Sequence, residues 1–307
     1  VICVVLNSQG GLVESFGKMK EVVPTAHDLK SPLYDSFQPG DFASWFGPNA
    51  MSLLGVVVLT SLGTWGLPQM VHKFYTIDSE KSITKGAIIS TIFAFVVAGG
   101  SYFIGGFGRL YVEAGKGGAP SVAFDEIMPN MLDGVLPDIL MGLVIVLVLS
   151  ASMSTLSSLV ISSASTLTVD FIKGFFKKDM KDKQQMLLTR VFCVLFMVIS
   201  VVLALFPGTL ISNLMAISWG ALSGAFLAPF MYGLYSKKIT NASVWVSFAA
   251  GIGFIVFNLF ANIMPGTSAG AVSMLITLVL VPIVSLFTPK PDKDLIDKCF
   301  ECYNKVD

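Results

Sequence analysis

Long apolar stretches separated by polar segments dominate the pattern of the chain. A membrane-spanning α-helix needs about 20 mostly apolar residues to cross roughly 30 Å of hydrocarbon. Seven stretches have that length: 46–71, 86–107, 138–166, 186–206, 211–235, 241–261 and 269–288. The chain also opens on an apolar run, VICVVL, which predicts the end of a further membrane helix over 1–18. The pattern therefore predicts an all-α polytopic membrane protein.

Composition supports this fold class and narrows the possible functions. Of 307 residues, 54% are hydrophobic and 13% are charged, and soluble domains carry about twice that charged share. The twenty basic and twenty acidic residues cancel, so bulk charge predicts no nucleic-acid partner. No set of nucleophile, base and orienting group stands out. We therefore expect a lipid bilayer as the surroundings, no enzymatic activity and no organic cofactor.

The positions of the charges predict how the chain lies in the membrane. No Asp, Glu, Lys or Arg falls well inside a predicted span, and fifteen of the twenty basic residues lie on the side that holds the C-terminal tail. Cytoplasmic connections carry the excess of Lys and Arg. The tail 289–307 is therefore predicted to be cytoplasmic at the plasma membrane, and the loops 19–45 and 108–136 are predicted to face outward.

The span 46–71 carries residues that disfavour a continuous helix. Gly63, Gly66 and Pro68 fall within six residues. Glycine weakens a helix, and proline removes a donor and clashes with the preceding turn. Freed backbone groups at membrane depth are tolerated only inside protein or beside a cavity, and discontinuous helices of this kind form transporter sites. A simple proline kink is the alternative interpretation.

The span 138–166 carries a stripe of hydroxyl groups. Eleven of the nineteen residues from 150 to 168 are Ser or Thr. Small and hydroxyl side chains recur at helical spacing, which places them on one face. We call this set the hydroxyl stripe; it comprises Ala151, Ser154, Thr155, Ser158, Ser162 and Ser165. Two interpretations remain open: helix packing through small residues, or a path for a hard cation bound by neutral oxygens.

The coupling ion of such a path is predicted to be Na⁺ rather than a proton. Proton relays use Asp, Glu or His inside the membrane. Both histidines, His27 and His72, lie in connections or at a helix end, and the spans hold no acidic residue at depth.

Two motifs in these spans resemble those of the sodium:solute symporter family. The run GLPQMVHKF at 66–74 resembles the family stretch G-Q-P-H-x-x-x-R-F. The runs SASMSTLSS at 150–158 and SASTLTVD at 163–170 resemble its A-x-M-S-T-x-x-S and S-S-x-x-T-x-D signature. The likeness covers essentially the whole chain, including the order of the loops and the number of spans.

The resemblance implies a LeuT-like core of two inverted five-helix repeats, of which this chain holds the second. Residues 1–18 would be the end of the last helix of repeat one, and 19–45 an extracellular loop. Residues 46–236 would form the second repeat, 237–288 two peripheral helices, and 289–307 the cytoplasmic tail. The rest of repeat one is expected to precede residue 1, as the missing N-terminal partner of this half.

The resemblance also implies site residues. Family sodium ligands match the carbonyl of Ala151 and the hydroxyls of Ser154 and Thr155, which lie on the hydroxyl stripe. The solute is expected beside the broken helix. Its candidate contacts are Ser61, Thr64, Trp65 and Gln69. Weaker gate candidates are Trp219 and Phe226, for which core packing is the alternative.

The function that the resemblance implies is sodium-coupled symport of a small organic solute by alternating access. Gln69 stands where proline-type members often have His, and Lys73 stands in place of Arg. Lysine keeps the charge but loses bidentate geometry, so these changes leave the solute open. The alternative is a membrane sensor, in which the same fold is the input domain of a signalling protein.

Overall fold

The computed structural model describes residues 1–22, 40–47, 49–71, 77, 79–113, 120–205 and 211–301. Within these ranges the regular structure is helical. Among the described residues, six helices are long and apolar enough to cross a membrane by length and composition. The all-α polytopic class predicted from the sequence is therefore confirmed. Of the predicted outer loop 19–45, the residues 23–39 lie outside the described part.

The chain divides into two compact units, and each is described by itself. The first unit is Val1–Gly11 with Glu126–Thr209. The second is Leu12–Asp125 with Leu210–Asp307.

In its described residues, the first unit is built from four α-helices and one π-helical segment. Its helices are α1 (Ile2–Ser8), α6 (Ile127–Val135), α7 (Asp138–Ser165) and α8 (Asp182–Leu205), and the π-helical segment is Thr166–Phe176. Helix α7 packs against α8. The buried residues of α7 are Val160 and Ala164, which lie about half a turn away from the hydroxyl stripe.

The second unit contains the remaining helices. They are α2 (Leu12–Glu21), α3 (Ala50–Ser61), α4 (Pro68–Val71), α5 (Glu80–Gly106), α9 (Ile211–Tyr235), α10 (Asn241–Ala261), α11 (Gly266–Phe287) and α12 (Lys293–Phe300). Helices α9, α10 and α11 pack closely on one another, and α3 packs on α11. The core of the unit holds fully buried Leu59, Ala216, Leu227 and Met274.

Small residues allow the second unit to pack this tightly. A Cβ added at Gly220 would lie 2.7 Å from the Cα of Gly270, so α9 and α11 touch backbone to backbone. Buried serines bond across the same interfaces: Ser247 donates to the carbonyl of Ala225 at 2.9 Å, and Ser273 donates to that of Gly251 at 3.0 Å. Close approach with hydroxyl bonds between helices is the packing mode that membrane interiors favour.

Residues 1–18 fall in two helices in the structure, because α1 ends at Ser8 and α2 begins at Leu12. Their assignment to the end of the last helix of repeat one remains a prediction. Gly10 and Gly11 between them have φ angles of 92° and 100°. Only glycine adopts that conformation at little cost, so the Gly-Gly pair ends the first helix and redirects the chain.

The π-helical segment leaves one hydroxyl without a partner. Thr168 is fully buried, and its Oγ1 has no hydrogen bond within the described part of the chain. Two threonines in α-helices here donate to the carbonyl four residues earlier: Thr60 to Val56 at 2.8 Å and Thr189 to Gln185 at 2.9 Å. The wider π winding changes that i−4 geometry, and Thr168 does not form such a bond.

We expect Thr168→Val to stabilise the first unit. Valine keeps the shape and removes the unpaired hydroxyl, and an unsatisfied buried polar group costs about 1–3 kcal/mol. Thermal unfolding in detergent should show a raised midpoint. The control is Thr277→Val. The hydroxyl of Thr277 already donates to the carbonyl of Met274 at 3.0 Å, so its removal should not raise the midpoint. Equal loss of stability in both variants would contradict this account of Thr168.

Candidate functional site

The first candidate site is the interruption between α3 and α4. Helix α3 begins where the side chain of Asn49 accepts a hydrogen bond from the Ser52 amide at 2.9 Å, and it ends at Ser61. Residues Gly63–Gly66 form one 3₁₀ turn, and Leu67 is extended with φ −83° and ψ 117°. The α-helical winding is thus lost in the segment where Gly63, Gly66 and Pro68 cluster. Their part in a solute site remains a prediction.

One side of the interruption packs against α9. Gly63, Gly66 and Leu67 are buried, and the hydroxyl of Ser223 on α9 donates to the carbonyl of Gly63. A Cβ at Gly66 would lie 2.8 Å from the Cα of Ser223 and 2.9 Å from the Cβ of Leu227. Glycine at this position is therefore required for the two backbones to approach.

The other side of the interruption carries the candidate solute contacts. Ser61 is exposed, Thr64 is half-buried with its hydroxyl donating to the Ser61 carbonyl at 3.0 Å, and Trp65 is 58% exposed. Successive turns of a 3₁₀ helix repeat every three residues, which places Ser61 and Thr64 together and away from Gly63 and Gly66. The side chain of Gln69 lies outside the described residues.

The two gate candidates both make packing contacts in the structure. Trp219 packs on the core cluster of the second unit. Phe226 lies with its ring centroid 4.9 Å from that of Phe248, at an interplanar angle of 61°. These contacts are those of core aromatic residues, and a gating role for either residue remains a prediction.

The second candidate site is the hydroxyl stripe of α7, in the first unit. Ala151, Ser154, Thr155, Ser158 and Ser162 are all exposed, whereas Val160 and Ala164 opposite them are buried. The stripe is therefore exposed from Ala151 to Ser162 among the described helices, and Ser165 at its end is half-buried.

The hydroxyls of the stripe differ from a neighbour that lies off it. Ser157 donates to the carbonyl of Met153 at 2.8 Å. Ser154 and Thr155 form no hydrogen bond to any described residue with their hydroxyls, and Ala151 lies one turn before them. Two free hydroxyl oxygens and a neighbouring carbonyl are neutral, hard donors, and they fit a monovalent cation. The role of these three residues as sodium ligands remains a prediction.

Sequence reasoning overlooked Ser223. It lies in the run SWGALSGAFLA, whose small residues are typical of closely packed membrane helices. Nothing local distinguishes it from other serines, because its partner Gly63 is 160 residues away along the chain. Only the packing of α9 on the interruption identifies this serine.

Comparison with known families agrees with the two motifs. Residues 1–251 match the profile of the sodium:solute symporter family. The chain belongs to the sodium:solute symporter family, a family of transporters and not of enzymes. The resemblance inferred from the two motifs is confirmed.

Individual relatives within the family are distant. The chain is 23% identical over 284 residues to the osmoregulated proline transporter OpuE of Bacillus subtilis, covering 92% of this chain and 56% of that protein. It is 24% identical to the sodium/proline symporter of Haemophilus influenzae, and the match covers 81% of this chain and 52% of that protein. It is also 24% identical to the sodium/pantothenate symporter of that organism, and this match covers 87% of this chain and 53% of that protein.

The chain therefore spans about half the length of the curated relatives it matches. No solved structure matches this chain.

We expect Gly66→Ala to destabilise the second unit. The new Cβ meets backbone and Cβ atoms that have little freedom to move, and overpacking of this kind costs about 1–3 kcal/mol. Thermal unfolding in detergent should show a lowered midpoint. The matched control is Gly99→Ala, where the added Cβ meets no atom within 4 Å and helix propensity favours alanine by up to about 1 kcal/mol. A Gly66→Ala midpoint equal to that of the control would show that α9 does not press on the interruption.

Proposed function

We propose that the protein carries out sodium-coupled symport of a small organic solute across the plasma membrane by alternating access. Family membership supports sodium as the coupling ion. The observation that carries the proposal is the hydroxyl stripe, whose Ser154 and Thr155 are exposed on α7, while Val160 and Ala164 on the opposite face are buried. Hydrocarbon offers hydroxyls no partner, so such a face fits a polar path better than a lipid contact.

The sodium ion is proposed to bind the carbonyl of Ala151 and the hydroxyls of Ser154 and Thr155. These neutral oxygens replace part of its water shell. One positive charge moving inward gains about 2.3 kcal/mol per 100 mV. That term alone supports roughly 40- to 50-fold accumulation of solute at 100 mV for one ion.

The solute is proposed to bind beside the interruption, against Ser61, Thr64, Trp65 and Gln69. Trp65 is large and exposed, so it offers an aromatic wall, and the hydroxyls of Ser61 and Thr64 offer polar contacts. The relatives named above are carriers of proline and pantothenate by their names. Both compounds carry a carboxylate, so small carboxylates are the first solutes to test.

We further propose that a preceding five-helix repeat completes the transporter in the LeuT-like arrangement, with the tail 289–307 in the cytoplasm. The relatives are about twice the length of the matched region, and the hydroxyl stripe has no opposing helix among the described residues. In this arrangement an upstream helix supplies the remaining oxygens around the ion.

We expect Ser154→Ala and Thr155→Ala, made in the full-length transporter, to weaken sodium binding. Each removes one oxygen from a small neutral cage that has no carboxylate to compensate. A loss of about 1–3 kcal/mol, the penalty for an unmet polar partner, weakens binding roughly 5- to 150-fold. A bound ion stabilises the folded state by mass action, so the Na⁺ concentration that half-saturates the thermal shift should rise by that factor. Initial uptake of radiolabelled proline or pantothenate against Na⁺ concentration gives the second measurement.

The control for this experiment is Ser157→Ala, whose hydroxyl is bonded within its own helix and points away from the stripe. It should leave the Na⁺ dependence unchanged. If the Ser154 and Thr155 variants keep the wild-type Na⁺ dependence and lose only protein abundance, the stripe serves packing and the ion binds elsewhere.

A further inference from the structure

A buried side chain from another helix bonds to the interrupted helix. Ser223 on α9 is fully buried, and its hydroxyl donates to the carbonyl of Gly63. Gly63 opens the 3₁₀ turn, in which bonds run from each carbonyl to the amide three residues later. The serine therefore adds a bond from α9 to a carbonyl of this turn.

Glycine makes this contact possible on the following turn. Gly66 approaches so closely that a Cβ would lie 2.8 Å from the Cα of Ser223. At Gly63 a Cβ would still find Ser223 Oγ at 3.7 Å, which is ordinary contact. We call Ser223, Gly63 and Gly66 the serine clamp.

The serine clamp packs on one side of a short turn, and the other side of this turn carries the candidate solute contacts. Gly63 and Gly66 are buried against α9, while Ser61 and Trp65 are exposed. Local bonds of the chain contribute to this turn, because the Trp65 amide donates to the carbonyl of Leu62 at 3.1 Å and the Thr64 hydroxyl donates to that of Ser61 at 3.0 Å. The carbonyl of Thr64 lacks an α-helical donor, since residue 68 is proline. The clamp adds a tertiary bond from α9 on the buried side of the turn that carries Thr64 and Trp65.

We infer that Ser223 is a positioning residue for solute binding: it holds the 3₁₀ turn so that Thr64 and Trp65 face the solute. This inference rests on the solute site proposed above. The competing view is that Ser223 is only a packing serine, like Ser247 and Ser273, whose hydroxyls also donate to carbonyls of neighbouring helices. Ser273 bonds to an unbroken stretch of helix, whereas Ser247 bonds to the carbonyl of Ala225, whose α-helical donor position is Pro229. Neither serine bonds to the interruption, so they make a matched comparison possible.

The first arm of the test measures backbone exchange. Hydrogen–deuterium exchange with mass spectrometry is run on the full-length protein in lipid nanodiscs, for wild type, Ser223→Ala and Ser247→Ala. Loss of a buried bond corresponds to roughly 2- to 10-fold faster local opening. We expect that increase at residues 62–67 in Ser223→Ala and none there in Ser247→Ala, which removes the same kind of bond elsewhere.

The second arm measures transport and sodium binding. With radiolabelled proline or pantothenate as the probe, Ser223→Ala should raise the half-saturating solute concentration by about the same 2- to 10-fold factor, with Ser247→Ala unchanged. The Na⁺ concentration that half-saturates the thermal shift should stay at the wild-type value in both variants, because the sodium candidates lie on α7. Ser223→Cys keeps the size of the side chain and a weak donor, so its half-saturating solute concentration should lie between those of the wild type and the alanine variant. The cysteine variant replaces the alanine variant in this test if the latter does not fold.

Each result decides the inference. Unchanged exchange at 62–67 in Ser223→Ala, or equal solute affinities in the Ser223 and Ser247 variants, would overturn it. If wild type takes up neither probe, the proposed solutes fail, and the exchange arm alone decides whether Ser223 holds the turn. If wild type takes up solute without Na⁺, the proposed coupling fails while both arms still test the clamp.

Discussion

The constraint on which this structure depends is that hydrocarbon supplies no hydrogen-bond partner to polar groups. A helix satisfies its own backbone, so any interruption at membrane depth needs a partner from elsewhere in the protein. At the break after Ser61, the hydroxyl of Ser223 on α9 adds such a bond to the carbonyl of Gly63. The same constraint applies to the hydroxyls of Ser154 and Thr155 on α7, which are exposed.

Both candidate sites have buried residues on one side and exposed hydroxyl-bearing residues on another. At the interruption, Gly63 and Gly66 lie against α9 while Ser61 and Trp65 face away. On α7, Val160 and Ala164 are buried while Ser154 and Thr155 are exposed. Rigid packing on one side fixes the direction of the groups on the other, and binding sites need that precision on stable elements. The proposed transport function draws on both sites.

Much of this was predictable from the sequence, because the signals are local. Hydropathy predicts the length of the spans. Gly63, Gly66 and Pro68 predict the break in the helix, and helical spacing predicts the hydroxyl stripe. Three features were not predicted. The division between α1 and α2 had a visible signal in Gly10 and Gly11, but the apolar letters on both sides obscured it. The π winding of Thr166–Phe176 has no distinct period over so short a segment, and the bond from Ser223 depends on packing between residues far apart in sequence.

The central claim is that sodium binds at the hydroxyl stripe of α7, and cysteine labelling in the full-length transporter tests it most directly. Single cysteines replace Ser158 and Ser162 on the stripe and Leu156 off it, in a background without native cysteines, and thiol-labelling rates are compared in Na⁺ and in K⁺. The account predicts that Na⁺ slows labelling at Ser158, one turn from Thr155, more than at Ser162 and leaves Leu156 unchanged. Equal protection at all three positions, or none at Ser158, would contradict a sodium site on this face.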